Sequence, residues 1–253
     1  MFYAFLSQAT MEKRESRITM KVSSIKLKDY KRIVFFTGAG LSVESGIPTY
    51  RGQGGKWNEY RWEDYACQRA FDRDPERVWD FHEQQRAAAA ACEPNPAHRI
   101  IAETQRDRPE TVVITQNIDG LLQRAGCTQV NELHGSLWRL RCPRERAVRE
   151  DFGVPLASRR CACGAYWRPD IVWFEDPLDN DAIDAATEAL LACDLLVSIG
   201  TSGAVFPAAD LPRIAVANGA ASIEVNPGDT MVSHLYDLRL RGKASDMLRE
   251  MAG

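Results

Sequence analysis

Four short runs of β-branched and aromatic residues constrain this chain most: Ile33-Val34-Phe35-Phe36-Thr37, Thr111-Val112-Val113-Ile114-Thr115, Leu195-Leu196-Val197-Ser198-Ile199 and Ser222-Ile223-Glu224-Val225. Continuous apolar runs of this length suit strands buried on both faces, as in a parallel sheet covered by helices. Each run stops at glycine or amide-bearing residues: Gly38-Ala39-Gly40, Gln116-Asn117-Ile118-Asp119, Gly200-Thr201-Ser202 and Asn226-Pro227. Ligands of open α/β sheets gather at the C-terminal strand ends, so four such loops predict one shared crevice. The first loop, GAGLSVESGIPTYRG at 38–52, suits a nucleotide phosphate, because glycine lets backbone N–H groups approach an anion. The dinucleotide fingerprint is incomplete, with Val43 in place of its third glycine. Taken alone, the loop also fits a tight turn closing a strand.

Two regions do not follow the sheet pattern. Residues from about 53 to 98 carry helix formers and aromatics, and residues from about 140 to 169 are rich in Arg, Cys and Pro. The expected fold class is therefore α/β. A Rossmann-like parallel sheet has helices on both faces, with core segments at about 31–52, 99–139 and 170–253. A helical insertion and a small irregular lobe interrupt it. The first residues, about 1–30, are expected to form a leader without packed structure, or an extension upstream of a start at Met20.

A net charge of −3 offers no general basic field for nucleic acid or an anionic membrane. No apolar run approaches the ~20 residues of a membrane helix. Seven cysteines, an odd number spread through a long chain, do not suggest a secreted disulfide framework. A cytoplasmic protein is expected. Only Cys142, Cys161 and Cys163 fall close enough to suggest a metal.

Five segments occur together in one order: 38–52, Thr115-Gln116-Asn117-Ile118-Asp119, Leu133-His134-Gly135, Arg168-Pro169 with Val172-Trp173-Phe174, and Gly200-Thr201-Ser202. Together they resemble the sirtuins, NAD-dependent protein deacylases, across roughly 33–248. The stretch 200–207, Gly-Thr-Ser-Gly-Ala-Val-Phe-Pro, is similar to the bacterial branch grouped with the desuccinylases. The resemblance implies NAD as cofactor and acylated lysine-containing proteins as partners. It also implies an acyl-lysine oxygen that attacks the anomeric carbon of NAD and expels nicotinamide. The products are free lysine, nicotinamide and O-acyl-ADP-ribose.

By the same resemblance Gly38, Ala39 and Gly40 hold the pyrophosphate, Ala39 and Gly40 through their backbone donors. Ser42 and Glu44 shape that loop. Thr49, Tyr50 and Arg51 form a mobile lid, with Tyr50 where most relatives carry Phe. Gln116, Asn117 and Asp119 face the nicotinamide ribose, Asp119 near the carboxamide. Gly200, Thr201, Ser202, Asn226 and Ala244 complete the cofactor set. His134, assisted by Asn117, is the expected catalytic base. An imidazole is largely neutral above its unperturbed pKa of about 6.5 and can take a ribose hydroxyl proton. His98 and His234 carry no comparable motif. Rival readings of the same pocket are ADP-ribosyl transfer, plain NAD hydrolysis, or a non-catalytic NAD or ADP-ribose sensor.

The metal and acyl sites depart from the family pattern. Two CxxC pairs would close a tetrahedral zinc site. Here the first pair has Glu145 opposite Cys142, and Cys161 and Cys163 stand one residue too close. Either Cys142, Glu145, Cys161 and Cys163 hold a structural zinc, or packing alone holds the lobe. The branch's acid-reading Tyr-x-x-Arg pair is replaced by His82 and Gln85, and Ala66 matches its pocket-widening small residue. Neutral acyl groups are therefore expected over succinyl. Arg86, on the helix face of His82, either restores carboxylate binding or is a solvated charge. The acylated peptide is expected to add as a strand beside Val172, Trp173 and Phe174. Asp170 and Glu175-Asp176 replace the branch's usual His and Gly-Glu.

Overall fold

The computed structural model describes residues 25–52 and 54–253. Nine strands are described: β1 (Ile33–Thr37), β2 (Val112–Thr115), β3 (Val130–Glu132), β4 (Gly135–Arg141), β5 (Val148–Glu150), β6 (Arg168–Ile171), β7 (Leu195–Ile199), β8 (Ala221–Asn226) and β9 (Leu238–Arg241). Six of them form one parallel sheet in the order β3-β2-β1-β7-β8-β9.

The alternation along β1 shows why its run is apolar throughout. Ile33 and Phe35 face a cluster with Ala97 and Ile101 of the helix Pro96–Asp107 and Leu248 and Met251 of the helix Ala244–Ala252. Val34 and Phe36 face the opposite cluster, with Ala186 and Leu190 of the helix Asn180–Ala192. A strand clad on both sides needs apolar residues at every position. Each large side chain so buried contributes roughly 1.5–3 kcal/mol. From β1 the chain runs outward to β2 and β3, and later returns on the other side through β7, β8 and β9. The order reverses between β1 and β7, where a crevice opens at the C-terminal edge.

The lobe expected to be irregular holds a three-stranded antiparallel sheet, β5-β4-β6. β5 and β6 carry too few apolar residues to show a strand period, while in β4 buried Trp138 and Leu140, followed by Cys142, alternate with Arg139 and Arg141. The sheet begins at Gly135 and closes at Ile171, wider than the expected 140–169. The helical insertion consists of Lys56–Asn58, Trp62–Tyr65, Gln68–Arg73 and Pro75–Ala91. Pro75 and Pro96 each open a helix, with Asp74 and Asn95 accepting the orphan amides. The two insertions share one core: Phe71, Val78 and Trp79 pack with Leu140, Trp167, Ile171 and Trp173. The Trp79 indole N–H donates to the Trp167 carbonyl at 2.7 Å.

Of the expected leader, residues 1–24 lie outside the described residues, while Ile25 and Leu27 are buried in the main core. Among the described residues no helix is long and apolar enough to cross a membrane.

Candidate active site

The loops after β1 and β7 touch backbone to backbone. Gly38 N–H donates to Ile199 O at 2.9 Å and Gly40 N–H to Gly200 O at 3.0 Å. A Cβ on Gly40 would lie 2.6 Å from the Gly200 Cα, and Gly200 itself sits at φ +63°. The glycines are thus required first by the contact between the loops. Gly40 is not a free phosphate donor as the sequence suggested, because its amide is spent on Gly200.

These loops open onto a cleft of about 1040 Å³. Gly38, Ala39, Gly40, Glu44, Thr49, Tyr50, Arg51, Gln116, Asn117, Gly200, Thr201, Ser202, Asn226 and Ala244 all line it. Glu44 accepts from the backbone amide and hydroxyl of Ser245, tying the first loop to the start of the last helix. Asn226 donates to Thr201 O at 3.0 Å, and Thr49 Oγ1 to Arg51 O at 2.8 Å.

Asp119 is not among the residues lining the cleft; it is buried and accepts from Ser42 Oγ at 2.7 Å and from Leu121 N–H at 2.9 Å. Burial pushes its carboxyl up from the usual range. Asn117 Nδ2 donates to Gly38 O at 3.1 Å and Ser42 Oγ at 3.3 Å. Ser42 thus links the strand-end motifs of β1 and β2. Buried His98 has Nε2 3.5 Å from Ser42 Oγ, and burial pushes it down to about 4.

His134 lines the same cleft, at the turn between β3 and β4. Its Nδ1 lies 3.0 Å from Gln116 O. A carbonyl only accepts, so Nδ1 carries the proton and Nε2 keeps its lone pair. Burial, with the nearby Arg51 charge, lowers its pKa, and the Gln116 carbonyl opposes this. The ring is an uncharged base at neutral pH.

At the other end Ala66, His82, Val172, Trp173 and Phe174 line the cleft, together with Trp57, Phe81 and Ile171, which the sequence did not single out. His82 Nε2 accepts from Trp173 Nε1–H at 3.1 Å, and burial pushes the imidazole down to about 3. Gln85 is buried and absent from the lining. Arg86 is neither an acid reader nor a solvated charge: it is 1 % exposed. Its guanidinium donates to the Leu137, Asp151 and Gly153 carbonyls, pairs with Asp151 at 3.0 Å, and lies over the Trp138 ring. It rivets the long helix to the small lobe.

The amides of Val172, Trp173 and Phe174 are spent on His134 O, Asp176 Oδ2 and Ala66 O. A peptide pairing there would have to use carbonyls and the next residue, not this amide row. That next residue, Glu175, has φ +74°, a conformation that favours glycine.

The broken cysteine spacing still converges. One donor atom each from Cys142, Glu145, Cys161 and Cys163 lies within 4.8 Å of all the others. Cys142 and Cys163 sulfurs are 3.5 Å apart, and Cys161 Sγ is 3.5 Å from Glu145 Oε2. Zinc with Zn–S bonds of about 2.3 Å spaces tetrahedral sulfurs about 3.8 Å apart. Three thiolates and a carboxylate thus fit a closed structural zinc site, which lies apart from the cleft-lining residues.

Comparison with known proteins agrees with this geometry. The pattern of the Sir2 family matches residues 38–207. The NAD-dependent protein deacylase of Aquifex aeolicus (strain VF5) is 42 % identical over 222 residues, 87 % of this chain and 93 % of that protein. A solved Sir2 homologue variant in complex with ADP-ribose is 40 % identical with a TM-score of 0.86, covering 89 % of this chain and 92 % of that one. A Sir2 protein with a deacetylated p53 peptide and 3′-O-acetyl-ADP-ribose is 32 % identical with a TM-score of 0.80, covering 88 % and 93 %. The chain belongs to the Sir2 family.

Proposed function

We propose that this chain is an NAD-dependent protein-lysine deacylase. The observation that carries the proposal is His134: a tautomer fixed by Gln116 O leaves Nε2 as a free base inside the cleft that the β1 and β7 loops open onto. NAD would supply the electrophilic sugar carbon and nicotinamide as leaving group. The rest falls to the protein. The Ala39 amide and the Thr201-Ser202 turn, which line the cleft, would meet the pyrophosphate, and Asn226 and Ala244 would meet the adenosine. Asn117 and Asp119, joined through Ser42, order the floor beneath the reacting ribose. His134 Nε2 accepts the ribose hydroxyl proton while the acyl oxygen is being transferred. A sensor that only binds would need no such base. The name carried by the Aquifex relative and the acetylated product in the related complex support this reading.

The acyl group is neutral on this proposal. Around His82 the cleft is walled by Ala66, Phe81, Ile171 and Trp173, and His82 is itself uncharged. Arg86, the cation that the His82 helix face offered for a distal carboxylate, is committed to Asp151 instead. Incubating the protein with NAD and a panel of acyl-lysine peptides tests both parts. Mass spectrometry should detect O-acyl-ADP-ribose, with kcat/KM for acetyl and other neutral groups above succinyl. Nicotinamide release without acyl transfer would make it a hydrolase instead, and a succinyl preference would overturn the pocket assignment.

A further inference from the structure

An unpaired ammonium stands behind the lid. Lys56 follows the glycine-rich turn, and its N–H donates to Thr49 O at 2.9 Å while the Trp57 N–H donates to Tyr50 O at 3.0 Å. The side chain is thereby seated behind two residues that line the cleft. Its Nζ lies 5.4 Å from the centroid of the Tyr50 ring. Lys56 is half-buried, and among the described residues no carboxylate comes within salt-bridge distance of it.

The groups that face it are few. Asp119 acts on it from the loop after β2, but that carboxylate already accepts from Ser42 and Leu121. The Cys92 thiol approaches from the end of the long helix, and neutral His82 feels the ammonium from that helix's middle. Tyr50 contributes only its ring. Burial outweighs the attraction of Asp119 and Cys92 and brings Lys56 down to about 8. It is charged at pH 7 and largely uncharged at pH 9.

We propose that Lys56 sets its charge against the cationic nicotinamide ring of bound NAD, weakening NAD binding and favouring the step in which that ring becomes neutral. The inference rests on the deacylase reading, which puts the ring at the Tyr50–Asp119 end. The sugar carbon must lie within reach of His134, and the carboxamide needs the buried polar groups of Asp119, Ser42 and Asn117. When the glycosidic C–N bond breaks, its electron pair passes to the ring nitrogen and the ring loses its charge. The sugar carbon takes up the positive charge, which the acyl oxygen meets by forming the new C–O bond. A fixed cation behind Tyr50 therefore penalises the bound cofactor more than the departing nicotinamide. The linkage has a definite sign. A bound cation drives Lys56 further toward its neutral form, so NAD binding releases protons and tightens as pH rises through about 8.

Calorimetric titration of NAD into the wild type, Lys56→Met, Lys56→Gln and Lys56→Arg at pH 7 and pH 9 tests this, with kcat and KM on an acetyl-lysine peptide alongside. At pH 7 either neutral variant should bind NAD about fivefold more tightly, the scale of one partly solvated charge–charge interaction. Its kcat should fall by a similar factor, the joint drop that marks lost ground-state destabilisation. The wild type should tighten by about the same factor between pH 7 and pH 9. Lys56→Arg, whose charge persists, should not tighten. Unchanged or weaker NAD binding in both neutral variants overturns the inference, as does a wild-type pH shift that survives in them. If the affinities move as stated but none of the proteins turns over an acyl peptide, the deacylase reading fails and the charge effect stands.

Discussion

At the sheet end of the cleft, the loops after β1 and β7 meet with nothing but backbone between them, Gly40 N–H on Gly200 O at 3.0 Å. At the end proposed for the acyl group, the wall is made of large side chains from the helical insertion and from the segment after β6. Phe81 stacks on Tyr65 at 4.9 Å and on Trp57 at 6.0 Å, and Phe174 meets Trp57 edge-on at 5.7 Å. The first end has no atom to spare, so its shape is tied to residue identity at two or three positions. The second is an assembly of rings whose sizes can be exchanged while the backbone stays in place. On the proposed assignment, a cleft built this way holds its cofactor rigidly and leaves its acyl preference open to substitution.

The sharpest way to break that contrast is at the residue lying between the two ends. His134→Ala should cut acyl-peptide turnover roughly a thousandfold while NAD binding persists, measured by calorimetry. In the wild type the acid limb of kcat/KM should lie below pH 6.5. Burial lowers the His134 pKa, so the base stays unprotonated until the pH falls past that lowered value. A limb above 6.5 would assign the base elsewhere.

Gly40→Ala tests the backbone contact. Its methyl would meet Gly200 backbone at 2.6 Å. A loss of about 3 kcal/mol of stability and of NAD affinity is expected, by denaturant titration and calorimetry. Arg86→Met tests whether the acyl end depends on the joint between helix and lobe. It strands the Leu137 and Gly153 carbonyls, leaves the Asp151 carboxylate to Arg149 and the Gly153 amide alone, and should cost about 2 kcal/mol. An unchanged melting curve would mean the rivet carries no load. The smallest effect is expected at the substrate edge. Glu175→Gly relieves a left-handed backbone at φ +74° and gives up only an exposed pair with Arg69, for a gain of about 0.5 kcal/mol.

The same contrast governs what could be read from the residues in order. β1, β2, β7 and β8 were legible because burial on both faces leaves an unbroken apolar run, and their loops because glycine and amide residues mark strand ends. β9 was not legible: Leu238-Arg239-Leu240-Arg241 alternates at the sheet edge, and Arg241 pairs inward with buried Glu224 at 2.8 Å. β3 is three residues long and leaves no period to detect. Arg86 shows the deeper limit. Helical spacing placed it on the same face as His82, but spacing cannot say that another lobe, joined through Asp151, covers that part of the face. The aromatic wall was hidden for a related reason, since Trp79 and Trp167 meet across 88 positions of sequence. Lys56 gave no signal beyond a lysine beside glycines.

Phe71, Val78 and Trp79 have no core except the one they share with Leu140, Trp167 and Trp173, and the strand that carries Leu140 runs directly into Cys142. The packing of the helical insertion and the geometry of the cysteine cluster are therefore coupled through one shared core. A substitution at Phe71, Val78 or Trp79 is transmitted toward the cysteines, whereas Phe81 and His82, which line the cleft, stand outside that core.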